Sequence, residues 1–269
     1  MLKKHAVQYL LVLKFTLILL LAGNVHATQD TLRVLFIGNS YTYFNNLAQA
    51  VSALSDSTNL VIRADHSTYP GARLADHYFG INGLKTVEKI RSGKYKAVVL
   101  QSFSMQPVQA PDSLIKYTTL LADIAKKSGA KVYLYETWAR EKVPQYQLEI
   151  SKVYEEAGKK TASTVVPVGS VWKLARETYP SVKLFREDGS HPSPLGTYLT
   201  AMVFVREFTG EFPKGNTPDL FYIDASGLPF YLMSIDQLDK EFIIKVIKRV
   251  YAEREQTKAV QSKEKSTKK

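Results

Sequence analysis

Acid–base catalysis near neutral pH usually uses histidine, and three histidines follow residue 27: His66, His77 and His191. Only His191 lies in a turn-forming stretch with a carboxylate nearby, since Asp188 precedes it by three residues across a Gly-Ser pair. A tight turn there can fold the Asp188 carboxylate onto one ring nitrogen and leave the other nitrogen free as a base. The alternative is ordinary turn chemistry with an exposed histidine.

Ser40 is the candidate nucleophile. It follows the apolar run Leu32–Ile37 across Gly38 and Asn39, where a strand is expected to end and a helix to begin. A serine at a helix start has its own N–H and neighbouring amides directed at whatever binds there, which favours an oxyanion site. The pattern lacks the following glycine of the nucleophile elbow of α/β-hydrolases. The alternative is a helix cap, a role that Thr42 could share.

The composition limits the possible classes of protein. The chain has 269 residues, of which 45% are apolar and 23% are charged, as in one or two ordinary globular domains. The absence of cysteine excludes disulfides, Cys-ligated zinc, iron–sulfur clusters and thiol catalysis. The pairs Asp65-His66 and Asp76-His77 lack a compact metal-ligand spacing and are interpreted as structural or surface groups. We therefore expect neither a metal ion nor an organic cofactor.

Residues 1–27 have the pattern of a secretory signal peptide. Two lysines lie at the start, Phe15–Ala22 is an uncharged run that is apolar apart from Thr16, and Val25-His26-Ala27 supplies a small-residue cleavage site. An uncleaved membrane anchor is the alternative, but Lys14 divides the apolar stretch into parts far shorter than the roughly 20 residues that span a bilayer. The pattern predicts cleavage near Ala27, no stable membrane insertion afterwards, and a periplasmic or secreted protein.

The basic charge lies mainly at the two ends of the chain. Removal of the leader lowers the formal net charge from +11 to +8, and residues 258–269, with five lysines and one glutamate, contribute another +4. The body, residues 28–257, therefore carries only +4. The last segment is predicted to be a disordered basic tail. Nucleic acid is not expected as a partner.

Short apolar or β-branched runs alternate with longer helical patterns. The runs predicted as strands are Leu32–Ile37, Leu60–Ala64, Ala97–Gln101, Lys131–Glu136 and Thr164–Val168. They lack strict polar alternation, which is typical of strands covered on both faces of a parallel sheet. Helices are predicted over Ser113–Ser128 and over Ser234–Glu255, the latter opening with a Ser234-x-x-Gln237 capping box. The alternation predicts one three-layer α/β/α domain, in which ligands bind beyond the carboxyl ends of the strands.

The combined motifs resemble the SGNH (GDSL-type) hydrolase superfamily. Phe36–Ser40 resembles its first block with Ser40 as nucleophile, Gly71 matches the second-block glycine, and Asp188-x-x-His191 matches the block that completes the catalytic triad. The resemblance covers almost the whole chain after the leader, in motif order and spacing. It implies a flavodoxin-like five-stranded parallel sheet of order 2-1-3-4-5. It also implies ester hydrolysis through an acyl-enzyme, often on O-acetyl groups or acyl chains.

Two positions depart from the family pattern. Asn39 replaces the usual aspartate beside the nucleophile, a change we expect to be tolerated because that side chain is not the triad acid. The third block normally supplies an asparagine to the oxyanion hole, whereas here the strand ends at Val99-Leu100-Gln101-Ser102. Gln101 carries the same amide on a longer stem, so we predict an oxyanion hole formed by the Ser40 and Gly71 amides and Gln101. The alternative for Gln101 is a polar strand-end residue bonded to nearby backbone.

Tyr41, Arg73 and Trp138 are the predicted substrate-binding residues, because the loops that carry them face Ser40. Aromatic rings there could stack on sugar faces, which favours an O-acetylesterase acting on a small-molecule or glycan ester; the alternative is that they wall the pocket or belong to the core. A lipase or lysophospholipase-type esterase is the second hypothesis. A catalytically silent glycan-binding protein of the same fold is the third. The sequence leaves the oligomeric state open.

Overall fold

The computed structural model describes residues 30–215 and 217–267 of the chain. The predicted leader and its cleavage position lie outside the described residues. No helix in the described part combines the length and the hydropathy that a membrane-spanning segment needs.

A five-stranded parallel sheet positions the predicted motifs. Its strands are β1 (Thr31–Gly38), β2 (Val61–Thr68), β3 (Ala97–Leu100), β4 (Lys131–Tyr135) and β5 (Thr164–Val166). Their order is β2-β1-β3-β4-β5, so the strand order reverses between β1 and β3. The predicted fold class and strand order are confirmed. The loops after β1, β2 and β3 emerge side by side at the carboxyl edge, where ligands of such sheets bind.

Both faces of the sheet are covered, because successive residues of each strand point to opposite sides. In β1, Val34 and Phe36 belong to one core cluster, whereas Leu35 and Ile37 belong to the other. All four side chains are fully buried. An unbroken apolar run of this kind is what a strand covered on both faces requires.

Besides the short 3₁₀ helices Phe44–Asn46, Ile81–Gly83 and Pro144–Tyr146, ten α-helices lie among the described residues. They are α1 (Ser40–Tyr43), α2 (Leu47–Ser55), α3 (Leu74–Phe79), α4 (Thr86–Arg91), α5 (Gln106–Gln109), α6 (Pro111–Lys127), α7 (Gln147–Thr161), α8 (Val168–Thr178), α9 (Pro194–Thr209) and α10 (Gln237–Thr267). Buried residues of α2, α8, α9 and α10 pack on one face of the sheet, and those of α3, α4, α6 and α7 pack on the other. The result is the predicted α/β/α sandwich.

An antiparallel hairpin that the sequence analysis did not identify precedes the last helix. Its strands are β6 (Asp219–Ile223) and β7 (Pro229–Ser234). Asp224 shapes the connecting turn, since its Oδ1 accepts hydrogen bonds from backbone and side-chain groups within the turn. Five large apolar side chains on this hairpin are exposed, namely Phe221, Ile223, Leu228, Phe230 and Tyr231.

The last helix differs from its prediction at both ends. Ser234 closes β7, and the helix is capped instead by Asp236, whose Oδ1 accepts a hydrogen bond of 2.8 Å from the Asp239 N–H. The helix continues past residue 257 to Thr267. The segment predicted as a disordered basic tail is therefore helical as far as Thr267, because its lysine, glutamate, glutamine and alanine residues favour helix.

Candidate active site

Ser40 is the first residue of α1, directly beyond the carboxyl end of β1. Asn39 caps this short helix: its side-chain oxygen accepts from the Tyr41 N–H at 3.1 Å, and its carbonyl accepts from the Thr42 N–H at 2.9 Å. The Asn39 side-chain amide donates to the Ala72 carbonyl at 2.9 Å, which ties this turn to the loop after β2. Ser40 is 8% exposed, so its hydroxyl lies at the floor of the site.

Ser40, His191 and Asp188 form a continuous hydrogen-bonded series. The Ser40 Oγ and His191 Nε2 atoms are 2.9 Å apart, and His191 Nδ1 lies 2.5 Å from Asp188 Oδ2. Because an ionised carboxylate only accepts, Nδ1 carries the proton and Nε2 is left to accept one from the serine. The structure thus brings Ser40 together with the Asp188 and His191 pair, which lies about 150 positions further along the chain.

The Asp188 carboxylate is held in its ionised form. Partial burial acts to raise its pKa, but hydrogen bonds from the His191 ring and from the Ser190 and His191 N–H groups outweigh this and lower the pKa to about 2. Both backbone bonds to Oδ1 measure 2.9 Å. Gly189 makes the turn possible, since its φ of +63° is a conformation that favours glycine.

Buried side chains fix the loop that carries His191. The Trp138 indole N–H donates to the Ser190 carbonyl at 3.0 Å, and the Tyr41 hydroxyl lies 2.8 Å from Ser190 Oγ. The Tyr41 and Trp138 rings stack at 4.4 Å. Both residues were predicted to bind substrate, yet they are only 3% and 1% exposed. The structure therefore places them in the core, the alternative that the sequence left open, where they position the loop.

The two backbone N–H groups predicted for the oxyanion hole belong to Ser40 and Gly71. Neither the Ser40 N–H nor the Gly71 N–H donates to an acceptor among the described residues. Gly71 lies in the turn after β2 with φ +67°, and a Cβ at this position would meet no atom within 4 Å. Neither N–H is engaged within the described residues, and their role as the oxyanion hole stays a prediction.

Gln101 has a different geometry from the one predicted. It is fully buried, and its Nε2 donates to Asn39 Oδ1 at 3.0 Å and to the Ser102 carbonyl. Its Oε1 accepts from the Asn39 N–H and from the Thr42 hydroxyl, both at 2.9 Å. Since both N–H groups are donated within the protein, Gln101 has none left for an oxyanion. It lies beneath the nucleophile turn and supports it.

The sequence analysis interpreted His77 as a structural or surface group, and the structure places it under the nucleophile turn as a buried structural group. His77 is fully buried, with Nε2 3.0 Å from the Gly38 carbonyl and Nδ1 2.8 Å from the Thr86 hydroxyl. Burial lowers its pKa to about 4. The neutral ring therefore donates to the carbonyl that precedes Asn39 and Ser40. The sequence carried no signal for this, because the contact joins α3 to β1.

Arg140 is a further residue near the site that the sequence analysis did not identify. It follows the buried Trp138 loop, is half-buried, and donates from Nε and Nη2 to the Ser104 hydroxyl at 3.3 and 3.1 Å. Its guanidinium lies 5.6 Å from the centre of the Phe103 ring, and that of the exposed Arg73 lies 6.0 Å from the same ring. The predicted substrate-binding Arg73 thus has a second cation beside it.

The loop that carries the triad acid and base faces solvent, since the side chains of His191 and Asp188 are 28% and 48% exposed. The described residues contain no group of three or more histidine, aspartate or glutamate side chains placed to hold a metal ion.

Several solved structures have a fold similar to that of this chain. A candidate SGNH hydrolase from Slackia heliotrinireducens is 25% identical, with a TM-score of 0.58 over 68% of this chain and 100% of its own. A DUF4886 family protein from Bacteroides uniformis is 16% identical, with a TM-score of 0.66 over 83% of this chain and 95% of its own. A variant of an acetyl xylan esterase from Geobacillus stearothermophilus is 16% identical, with a TM-score of 0.54 over 70% of this chain and 100% of its own.

No protein-family model and no curated protein sequence matches the chain. The structural likenesses, together with the sheet order, nevertheless define its class: the chain has the fold of the SGNH hydrolase superfamily, as the motifs predicted.

Proposed function

We propose that the protein is an exported serine esterase that removes short acyl groups, chiefly O-acetyl, from carbohydrate. The observation that carries this proposal is the hydrogen-bonded series from Ser40 Oγ through His191 to Asp188. A hydroxyl in contact with an imidazole, itself oriented by a carboxylate, is the arrangement that activates a serine for acyl transfer. The likeness to hydrolases of the SGNH fold supports ester hydrolysis.

The reaction then has two halves. His191 Nε2 takes the proton of Ser40 as Oγ attacks the ester carbonyl, and the resulting oxyanion is bound by the Ser40 and Gly71 N–H groups. His191 gives that proton to the departing alcohol, which leaves an acyl group on Ser40. Water, deprotonated by the same nitrogen, attacks the acyl carbonyl, and the products are a carboxylic acid and the free serine.

Carbohydrate O-acetyl esters are favoured over long-chain lipids, because the loops beside Ser40 carry arginines and aromatic rings rather than a broad apolar stripe for a long acyl chain. The structural likeness to an acetyl xylan esterase adds support for a small acyl group on sugar. The lipase and the silent glycan-binding hypotheses become outcomes of the test.

The test is a panel of p-nitrophenyl esters of increasing chain length together with acetylated sugars. We expect turnover to fall as the acyl chain lengthens, and to fall by about four to six orders of magnitude in Ser40→Ala. Faster hydrolysis of octanoyl than of acetyl esters would indicate a lipase. Binding of glycans without hydrolysis of any ester would indicate a silent binding protein.

Export is a separate part of the proposal. It is supported by the leader pattern in residues 1–27. Mass spectrometry of the protein from the producing cell should find a mature chain beginning at Thr28. A chain that retains Met1 in the membrane fraction would contradict cleavage after Ala27.

A further inference from the structure

Three arginines surround the Ser40 site, each on a different loop. Arg73 follows β2 and Arg140 follows β4, and both guanidiniums lie near the Phe103 ring, at 6.0 and 5.6 Å from its centre. Arg186 lies 5.4 Å from the Phe44 ring, which stacks on His191 at 4.4 Å. We call these three arginines the basic rim.

The basic rim carries no internal counter-charge. Within the described part of the chain, no carboxylate lies within 4 Å of any of the three guanidiniums. The carboxylate of Asp188 is occupied by His191 and two backbone N–H groups. Because no salt bridge engages them, the three guanidiniums are available to an anionic ligand.

Arg140 is the most firmly held member of the rim. It is half-buried, and its Nε and Nη2 share one acceptor, Ser104 Oγ, at 3.3 and 3.1 Å. Ser104 and Arg140 also lie beside the Tyr41 hydroxyl, which contacts Ser190 next to His191. A guanidinium has five N–H donors, so Arg140 has donors beyond those that contact Ser104 and Tyr41.

We infer that the basic rim binds a carboxylate of the substrate, so that the preferred ester is an acetylated acidic sugar. This rests on the proposed esterase function and narrows its substrate class. Guanidinium N–H groups bind planar oxyanions in pairs, and the aromatic faces of Phe103 and Phe44 hold the arginines in place. A substrate with its ester at Ser40 and a carboxylate on the same sugar would accept hydrogen bonds from the remaining guanidinium donors.

The test compares two esters that differ only in the acidic group, mono-O-acetyl galacturonate and mono-O-acetyl galactose. We expect wild-type kcat/KM to be about tenfold or more higher for the galacturonate ester. Arg140→Gln and Arg73→Gln should each reduce that ratio about tenfold, mainly through KM, because the carboxylate contributes to binding rather than to chemistry. Arg140→Lys keeps the charge and should retain part of the preference.

Arg91→Gln is the matched control, since it removes the same charge from an exposed helix end at the opposite edge of the sheet and should leave the ratio unchanged. Equal wild-type kcat/KM for the two esters, or a ratio that no rim variant alters, would overturn the inference. A preference for a sulfated over a carboxylated sugar ester would overturn the assignment to a carboxylate.

If wild type hydrolyses neither ester, the proposed function fails, and the inference is decided by binding. Calorimetry should then show tighter binding of oligogalacturonate than of oligogalactose, with the difference lost in Arg140→Gln. Equal affinity, or no binding of either, would contradict the basic rim as an oxyanion site.

Discussion

Replacing Gln101 by alanine tests what holds the nucleophile turn in place. The wild-type side chain makes four hydrogen bonds while fully buried: to the Asn39 N–H, to Asn39 Oδ1, to the Thr42 hydroxyl and to the Ser102 carbonyl. Alanine leaves all four groups without that partner and opens a cavity below Ser40. Each buried group left unsatisfied costs about 1–3 kcal/mol.

Water entering the cavity would form hydrogen bonds with some of these groups, so we count two of the four as left unsatisfied. With about 1 kcal/mol for the packing of the deleted methylene, the expected loss in the free energy of unfolding is about 3–7 kcal/mol. For a domain of this size such a loss lowers Tm by roughly 10–20 °C. Turnover should also fall, because Ser40 loses the support of its turn.

The assay is urea unfolding followed by tryptophan fluorescence, with esterase kinetics on the same preparations. Gln109→Ala is the matched control, since Gln109 is exposed at the end of α5, and it should change stability by less than about 0.5 kcal/mol. Wild-type stability in Gln101→Ala, combined with a hundredfold or greater loss of kcat at unchanged KM, would refute this reasoning. That result would support the predicted role of Gln101 as a donor in the oxyanion hole.

Two further predictions concern the same turn. Burial lowers the pKa of His77 from 6.5 to about 4, so its neutral form stabilises the fold above pH 6.5 and that contribution is lost as the pH falls towards 4. Wild type should lose roughly 3 kcal/mol more than His77→Gln between pH 7 and pH 4 in urea unfolding, and parallel losses would contradict this. In Gly38→Ala the new Cβ would lie 2.2 Å from Gln101 Oε1 and 2.4 Å from Thr42 Oγ1. We expect about 1–3 kcal/mol of destabilisation, measured by thermal unfolding, and unchanged Tm would show that the turn adapts.

The sequence predicted the fold because its signals are local. Each strand is an apolar run, and each predicted run overlaps one observed strand of the five-stranded sheet. The Asp188 and His191 pairing was also predictable, since the intervening turn fixes their separation. Ser40 could be placed opposite them only through the family resemblance, because the two segments are far apart in the chain.

The roles of individual side chains around the triad were harder to predict. Gln101, Tyr41 and Trp138 are polar or aromatic residues at strand ends, and such residues face either the ligand or the core. The choice depends on contacts with distant elements. Gln101 Nε2 donates a hydrogen bond to Asn39 Oδ1, and the Trp172 ring stacks on the Trp138 ring at 3.8 Å. No local pattern contains that information.

The sequence analysis did not predict the β6–β7 hairpin, for a different reason. Five of its large apolar residues are exposed, and the face that packs on the core is small, formed by Met233, Leu220 and Leu232. Strand prediction from sequence relies on a clear buried face. The Asp224–Gly227 turn between two β-branched or aromatic runs was the available signal.

Covalent labelling of the nucleophile tests the central claim most directly. Incubation of the protein with a fluorophosphonate, followed by intact-mass measurement and peptide mapping, should add one label per chain at Ser40. Ser40→Ala should remain unlabelled, and the matched exposed variant Ser92→Ala should label like wild type. A label on another residue, or ester hydrolysis by a chain whose Ser40 never reacts, would contradict a serine esterase built on Ser40, His191 and Asp188.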